Sequence, residues 1–243
     1  MNLKVKLFAD GAEKLGILEM NNNPLISGFT TNPTLMRKAG IKNYKEFALD
    51  VLSVIKNKPI SFEVFSDEIN EMERQALEIS SWGNNVYVKI PITNTRAESC
   101  VNLVERLSNN NVKLNVTAMM TVKQVRSVLP VLSKGLSSFV SVFAGRIADA
   151  GIDPLPIMCE IVSILKDYDN IELIWASPRE LYNVVQADSI GCHIITATND
   201  ILKKLPTLGK DLTQFSLETV KMFYNDAQAS GYNLLLEDIK VLD

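Results

Sequence analysis

Short runs of apolar, largely β-branched residues recur along the chain, and between them apolar positions return every three or four residues. A short apolar run predicts a buried strand, and the 3.6-residue period predicts an amphipathic helix. Eight such runs stand out: Lys4 to Ala9, Ile26 to Thr30, Ile60 to Val64, Val86 to Ile90, Lys113 to Thr117, Phe139 to Phe143, Glu172 to Ala176 and His193 to Ala197. Their starts lie roughly 20 to 35 residues apart, the length of one strand, loop and helix. Strict alternation of this kind predicts parallel βα units, and eight of them predict an α/β fold that closes as a (β/α)8 barrel. A doubly wound open sheet is the alternative. No G-x-G-x-x-G follows the first run and no G-x-x-x-x-G-K-[ST] occurs anywhere, which favours the barrel.

The segments between the runs carry their own signals. Ile69, Met72, Ala76 and Ile79 fall on one helical face, and Val122, Val125, Leu129 and Leu132 on another. Thr95 with Glu98, Thr121 with Gln124, and Ser177 with Glu180 have the spacing of a capping box, and Pro178 suits a first helical position. Val220, Phe223 and Ala227 predict a long terminal helix closed by Gly231. The tail from Tyr232 to Asp243 is apolar at Leu234 to Leu236, so it is expected to pack on its own barrel or on a second copy of the chain as a homo-oligomer. With no linker, repeat or low-complexity stretch, residues 1–243 read as one domain.

Composition narrows the partners. A net charge of -3 over mixed charges, with pI near 5.4, provides no basic stripe for nucleic acid or an anionic membrane. The N-terminus lacks the apolar stretch of a signal peptide and no run is long enough to span a bilayer, so a cytoplasmic protein is expected. Cys100, Cys159 and Cys192 have neither disulfide-framework nor zinc spacing and read as small core residues. His193 is the single histidine, which excludes a His-rich metal site; it reads as a structural strand residue. No cofactor is implied.

Lys89 changes this picture. It stands in Val86-Tyr87-Val88-Lys89-Ile90-Pro91, where a buried strand should not hold an ammonium. Such a lysine is either satisfied by a partner or available as the free amine that attacks carbonyls. Position alone favours the first account. In barrel enzymes, however, chemistry sits at the C-terminal ends of the strands. The polar residues there are Asp10, Thr30, Asn32, Glu63, Asn115, Thr117 and Ser141, converging on Lys89. Each has its own structural explanation, a cap for Asp10, an ion pair for Glu63, a turn for Asn32, ordinary strand hydroxyls for Thr117 and Ser141. Their convergence on one lysine is what favours a site. Beyond the seventh run, Ser177-Pro178-Arg179 at an expected helix start would present amides, dipole and guanidinium to an anion, and Arg146 could add a second fork.

These residues, in this order, resemble the transaldolase family of Schiff-base-forming aldolase-fold enzymes, from Leu7 to about Ala227. The most specific piece is Gly28-Phe29-Thr30-Thr31-Asn32-Pro33-Thr34-Leu35, which looks like the family's T-[ST]-N-P-[ST] signature. Val88-Lys89-Ile90-Pro91, Asn115-Val116-Thr117 and Ser141-Val142-Phe143-Ala144-Gly145-Arg146 also resemble family segments. The resemblance implies that Lys89 forms an imine, that Glu63 acts through a water positioned by Thr117, and that Asp10 exchanges a proton with the substrate C4 hydroxyl. It implies that Thr30, Asn32, Asn115 and Ser141 line the site of a dihydroxyacetone unit, with Arg146, Ser177 and Arg179 at the phosphate. The implied partners are small-molecule sugar phosphates of the pentose phosphate pathway. Gly11, where the family usually has Thr or Ser, and Val142, in place of a common Pro, depart from the pattern. A fructose-6-phosphate aldolase-like enzyme shares fold and lysine; the resemblance implies Gln and Tyr in such members where this chain has Glu63 and Phe143, which leans toward transfer. A noncatalytic phosphosugar-binding barrel is the alternative of another class.

Overall fold

Each of the eight expected runs forms a strand in the computed structural model, which describes residues 3–232. They are β1 (Lys6–Asp10), β2 (Ile26–Thr30), β3 (Ile60–Glu63), β4 (Val86–Pro91), β5 (Leu114–Met119), β6 (Ser138–Val142), β7 (Ile171–Trp175) and β8 (Ile194–Thr198). Each pairs in parallel with the next, and β8 returns to β1, so the sheet is a closed eight-stranded barrel.

Side chains alternate across a strand, so β4 turns Val86, Val88 and Ile90 one way and Tyr87 and Lys89 the other. The first set joins the large core that includes Met72, Ala76 and Ile79 of the helix Ile69–Ser80. Tyr87 belongs to a second cluster with Phe8, Phe139, Ile174, Ala176 and Ile194, on which Phe143 packs. Tyr87 stacks on Phe139 with ring centroids 4.1 Å apart, and Phe8 meets Phe139 edge-on at 5.8 Å. Gly28 makes room for this plug, since a Cβ there would lie 2.5 Å from the Phe8 ring. The interior is thus filled with aromatic carbon below and changes to polar side chains one pleat higher, at the level of Lys89.

Local contacts correct several boundaries. β1 begins two residues late because the amides of Lys4 and Val5 donate to Asp188 Oδ1, at 2.6 and 2.9 Å. The helix Val122–Val128 opens with the expected Thr121–Gln124 capping box but stops before Pro130, in a 3-10 turn over Leu129–Val131; Leu129 and Leu132 are buried all the same. The Thr95 box does not form. The Asp67 carboxylate takes the Thr95 amide and hydroxyl, both at 2.7 Å, and the helix starts only at Val101. Cys100 and Cys192 are buried, whereas Cys159 is exposed: Met158, Ile161 and Leu165 fill the buried stripe of its helix, Leu155–Leu165. His193 lies one residue before β8, and its Nδ1 accepts the Leu173 amide at 3.1 Å. Burial lowers its pKa, which keeps the ring neutral and the acceptor available.

The described residues divide into two compact units, the barrel as far as Leu205 and a second unit that begins at Pro206. The second carries the expected terminal helix, Leu212–Ala229, capped by Asp211 Oδ1 on the Gln214 amide. Gly231 follows it with φ +66°, a backbone region glycine enters freely. The apolar stretch Leu234 to Leu236, expected to pack on the barrel or on a second copy, lies outside the described residues.

Candidate active site

Strand register assembles the polar cluster. Asp10 is paired with Thr30, Glu63 with Lys89, and Lys89 with Asn115, so five adjacent strands, β1 to β5, deliver their functional groups to the same end of the barrel. Lys89 is only 6% exposed, and its amine nitrogen has two polar partners. Its Nζ lies 3.1 Å from Glu63 Oε2 and donates to the Thr31 carbonyl at 2.9 Å. A largely buried network holds the second carboxylate: Thr30 Oγ1 donates to Asp10 Oδ1 at 2.7 Å and lies 2.6 Å from Thr196 Oγ1, while Asn32 Nδ2 reaches Asp10 Oδ2 at 3.5 Å. Burial pushes the Asp10 carboxyl above its ordinary value; the charge of Lys89 and the Thr30 hydrogen bond oppose the rise, and the Glu63 charge adds to it.

Asn32 has two jobs. It caps the helix Pro33–Lys38, its Oδ1 accepting the Leu35 amide at 3.0 Å, and this turns its amide nitrogen toward Asp10. Asn115 lies below the others, donating to Ser61 Oγ at 3.0 Å and accepting from Ser141 Oγ at 2.7 Å. Thr117 Oγ1 is buried with no hydrogen-bond partner among the described residues. Leaving a buried hydroxyl unpaired costs about 1–3 kcal/mol, so its orientation marks a place where a bound group would be favoured.

These side chains line a cavity of about 500 Å³ that includes Asp10, Thr30, Asn32, Glu63, Lys89, Thr117, Ser141 and Phe143, together with Arg146, Ser177 and Arg179. Of the residues expected at the site, Asn115 alone is not in the wall; it supports Ser141 from beneath. A neighbouring cavity of about 600 Å³ shares Asp10, Leu35 and Thr198 but has no lysine of the strand ends in its lining. Thr196 and Thr198 belong to the wall and were not expected there. The alternation along β8 from Ile194, an interior residue, would have found both.

The anion end differs from its sequence reading. No helix begins at Ser177: that residue is left-handed, φ +59°, the next helix is Tyr182–Ser189, and the Asn183 side chain accepts the Arg179 and Glu180 amides at 2.7 and 3.2 Å. Pro178 is therefore a turn residue. The turn is shaped by close packing on Gly145, where a Cβ would lie 1.5 Å from the Ser177 carbonyl oxygen. Arg179 is held by Asp149, with Nε donating to Oδ1 at 2.9 Å and a second bond through Nη2. Arg179 in turn keeps the Asp149 carboxyl below its ordinary value, with Arg146 contributing. Among the described residues no His, Cys, Asp and Glu side chains group as a metal site would require, and no helix is long and apolar enough to cross a membrane.

The chain is similar to known proteins over most of its length. The family model described as transaldolase/fructose-6-phosphate aldolase matches residues 7–240. A probable transaldolase of Thermoanaerobacter sp. (strain X514) is 35% identical over 218 residues, 89% of this chain and 95% of that one. One from Dehalococcoides mccartyi is 34% identical over 202 residues, 83% of this chain and 90% of that one, and one from Brucella anthropi is 32% identical over 216, 88% and 94%. Among solved structures, a 2,3-dimethylmalate lyase of the PEP mutase/isocitrate lyase superfamily superposes with TM-score 0.56 at 13% identity, over 94% of this chain and 92% of that one, a likeness of fold alone. The barrel, the strand-end lysine and the match over nearly the whole chain lead to one conclusion: this protein belongs to the transaldolase/fructose-6-phosphate aldolase family.

Proposed function

We propose that the protein is a transaldolase, moving a dihydroxyacetone unit from sedoheptulose 7-phosphate or fructose 6-phosphate to an aldose phosphate through a Schiff base on Lys89. The observation that carries this reading is the pairing of Lys89 with Glu63 at 3.1 Å inside a polar cavity that also holds a second, burial-raised carboxyl, Asp10. An amine that must add to a ketone and then lose water needs a proton donor and acceptor beside it, and Glu63 occupies that place. The orphan Thr117 hydroxyl is suited to hold the water that leaves. Asp10 then accepts the C4 hydroxyl proton while the C3–C4 bond breaks. Its electron pair flows into the iminium, leaving an enamine on Lys89 and releasing the aldose phosphate. The acceptor aldehyde captures the enamine carbon, Asp10 returns the proton to the new alkoxide, and water frees the ketose.

Asn32 and Ser141 would bind hydroxyls of the retained unit, with Asn115 supporting Ser141 from beneath. The phosphate belongs at Arg146, with Ser177 beside it; Arg179 must leave or share Asp149 to contribute. Glu63 and Phe143, in place of Gln and Tyr, favour transfer over simple cleavage to free dihydroxyacetone. On this reading the protein would serve pentose phosphate interconversion in the cytoplasm.

Borohydride with fructose 6-phosphate should add the mass of a reduced dihydroxyacetone unit to the Lys89 peptide. Binding of the sugar without modification would make this a noncatalytic barrel, and release of free dihydroxyacetone with erythrose 4-phosphate present would make it an aldolase. Replacing Arg146 with alanine is expected to raise KM for fructose 6-phosphate by about tenfold or more, the worth of one charged hydrogen-bond pair. Equal losses with fructose and fructose 6-phosphate would remove Arg146 from the phosphate site.

A further inference from the structure

The ladder between β2 and β3 ends one rung early. Thr31 N–H donates to the Ser61 carbonyl at 3.1 Å, so a continuing parallel ladder would next have Glu63 N–H donate to the Thr31 carbonyl. Instead the Thr31 carbonyl accepts Lys89 Nζ. Glu63 N–H donates to Tyr44 Oη at 2.8 Å, and the Tyr44 hydroxyl donates its own hydrogen to the Glu63 carbonyl, also at 2.8 Å. One phenol thus satisfies both backbone polar groups of the residue whose carboxylate meets the lysine.

We propose that Tyr44 is a positioning residue for the Lys89 site: by occupying the Glu63 backbone it holds the β2–β3 ladder open, which frees the Thr31 carbonyl for Lys89 and fixes the Glu63 carboxylate beside the amine. This rests on the imine-forming reading of Lys89. The phenol is itself immobilised, because Tyr44 is the first residue of the helix Tyr44–Val54 and its ring packs on Phe62, Phe65 and Trp82 at centroid distances of 6.4, 5.5 and 5.8 Å. Burial raises the Tyr44 pKa well above that of a free phenol, so the hydroxyl remains a donor. Without that hydroxyl, Glu63 N–H would be unpaired and its nearest remedy is the missing rung to Thr31, which would make it compete with Lys89 Nζ for that carbonyl and draw the strand away from its present position. A displacement of about 1 Å at a general acid or base is enough to slow proton transfer.

The test is Tyr44→Phe, which keeps the aromatic packing and removes the two bonds. The expected result is a kcat lowered about tenfold with KM within about twofold, and an altered pH profile of kcat. In a Glu63→Gln background the same substitution should have little further effect, because the action runs through Glu63. An unchanged kcat, or a loss that adds in full to that of Glu63→Gln, would overturn the proposal even where borohydride traps the parent protein at Lys89. Failure of that trapping in the parent would instead remove the functional reading, and this inference with it.

Discussion

Lys89→Met should abolish borohydride-trappable adduct and lower turnover on the order of 10⁴-fold or more, the scale seen when a covalent nucleophile is removed. The substitution keeps an unbranched side chain of similar length in the cavity floor, so the strand and the aromatic plug beneath it have no reason to rearrange. What it strands is polar: the Glu63 carboxylate loses its partner at 3.1 Å and the Thr31 carbonyl loses its donor. Glu63 retains 19% side-chain exposure and can take water, so a stability loss of about 1–3 kcal/mol is expected, short of unfolding. Thermal denaturation and mass spectrometry on the same sample separate these effects. A folded Lys89→Met protein that still transfers the three-carbon unit at a rate within about tenfold of the parent's would end the Schiff-base account.

The barrel and this lysine were legible for one reason. A parallel strand covered on both faces is apolar throughout, so any charged residue in it stands out, and Lys89 and Glu63 each interrupt such a run. Thr196 and Thr198 were missed because threonine is ordinary in a strand; only the alternation from Ile194 identifies them. The turn at Ser177 was misread because its shape comes from packing on Gly145, 32 positions earlier, and a capping pattern cannot anticipate that contact. Tyr44 carried no signal at all. Its partner is the backbone of Glu63, nineteen residues away, and backbone partners leave no residue type in the sequence to recognise.

Asp10→Asn separates the two halves of the reaction and should do so with a pH signature. The Lys89 adduct should still form, since imine formation calls on Glu63, whereas C3–C4 cleavage loses its base and turnover should fall about 10²- to 10³-fold. Stability should move the other way. Burial, opposed by Lys89 and Thr30, raises the Asp10 pKa from 3.8 in the folded protein, so the folded state binds this proton more tightly than the unfolded chain. The resulting contribution is fully present below the unfolded value and is lost as pH rises through the folded one. Asparagine does not titrate, so the melting temperature of Asp10→Asn relative to the parent should climb as pH is raised from about 4 toward neutrality. A difference that stays flat or shrinks over that range would show that Asp10 carries no burial penalty. In that case its proton affinity would be ordinary, and the carboxyl would be a weaker acid–base partner for the C4 hydroxyl than the geometry around Thr30 and Asn32 indicates.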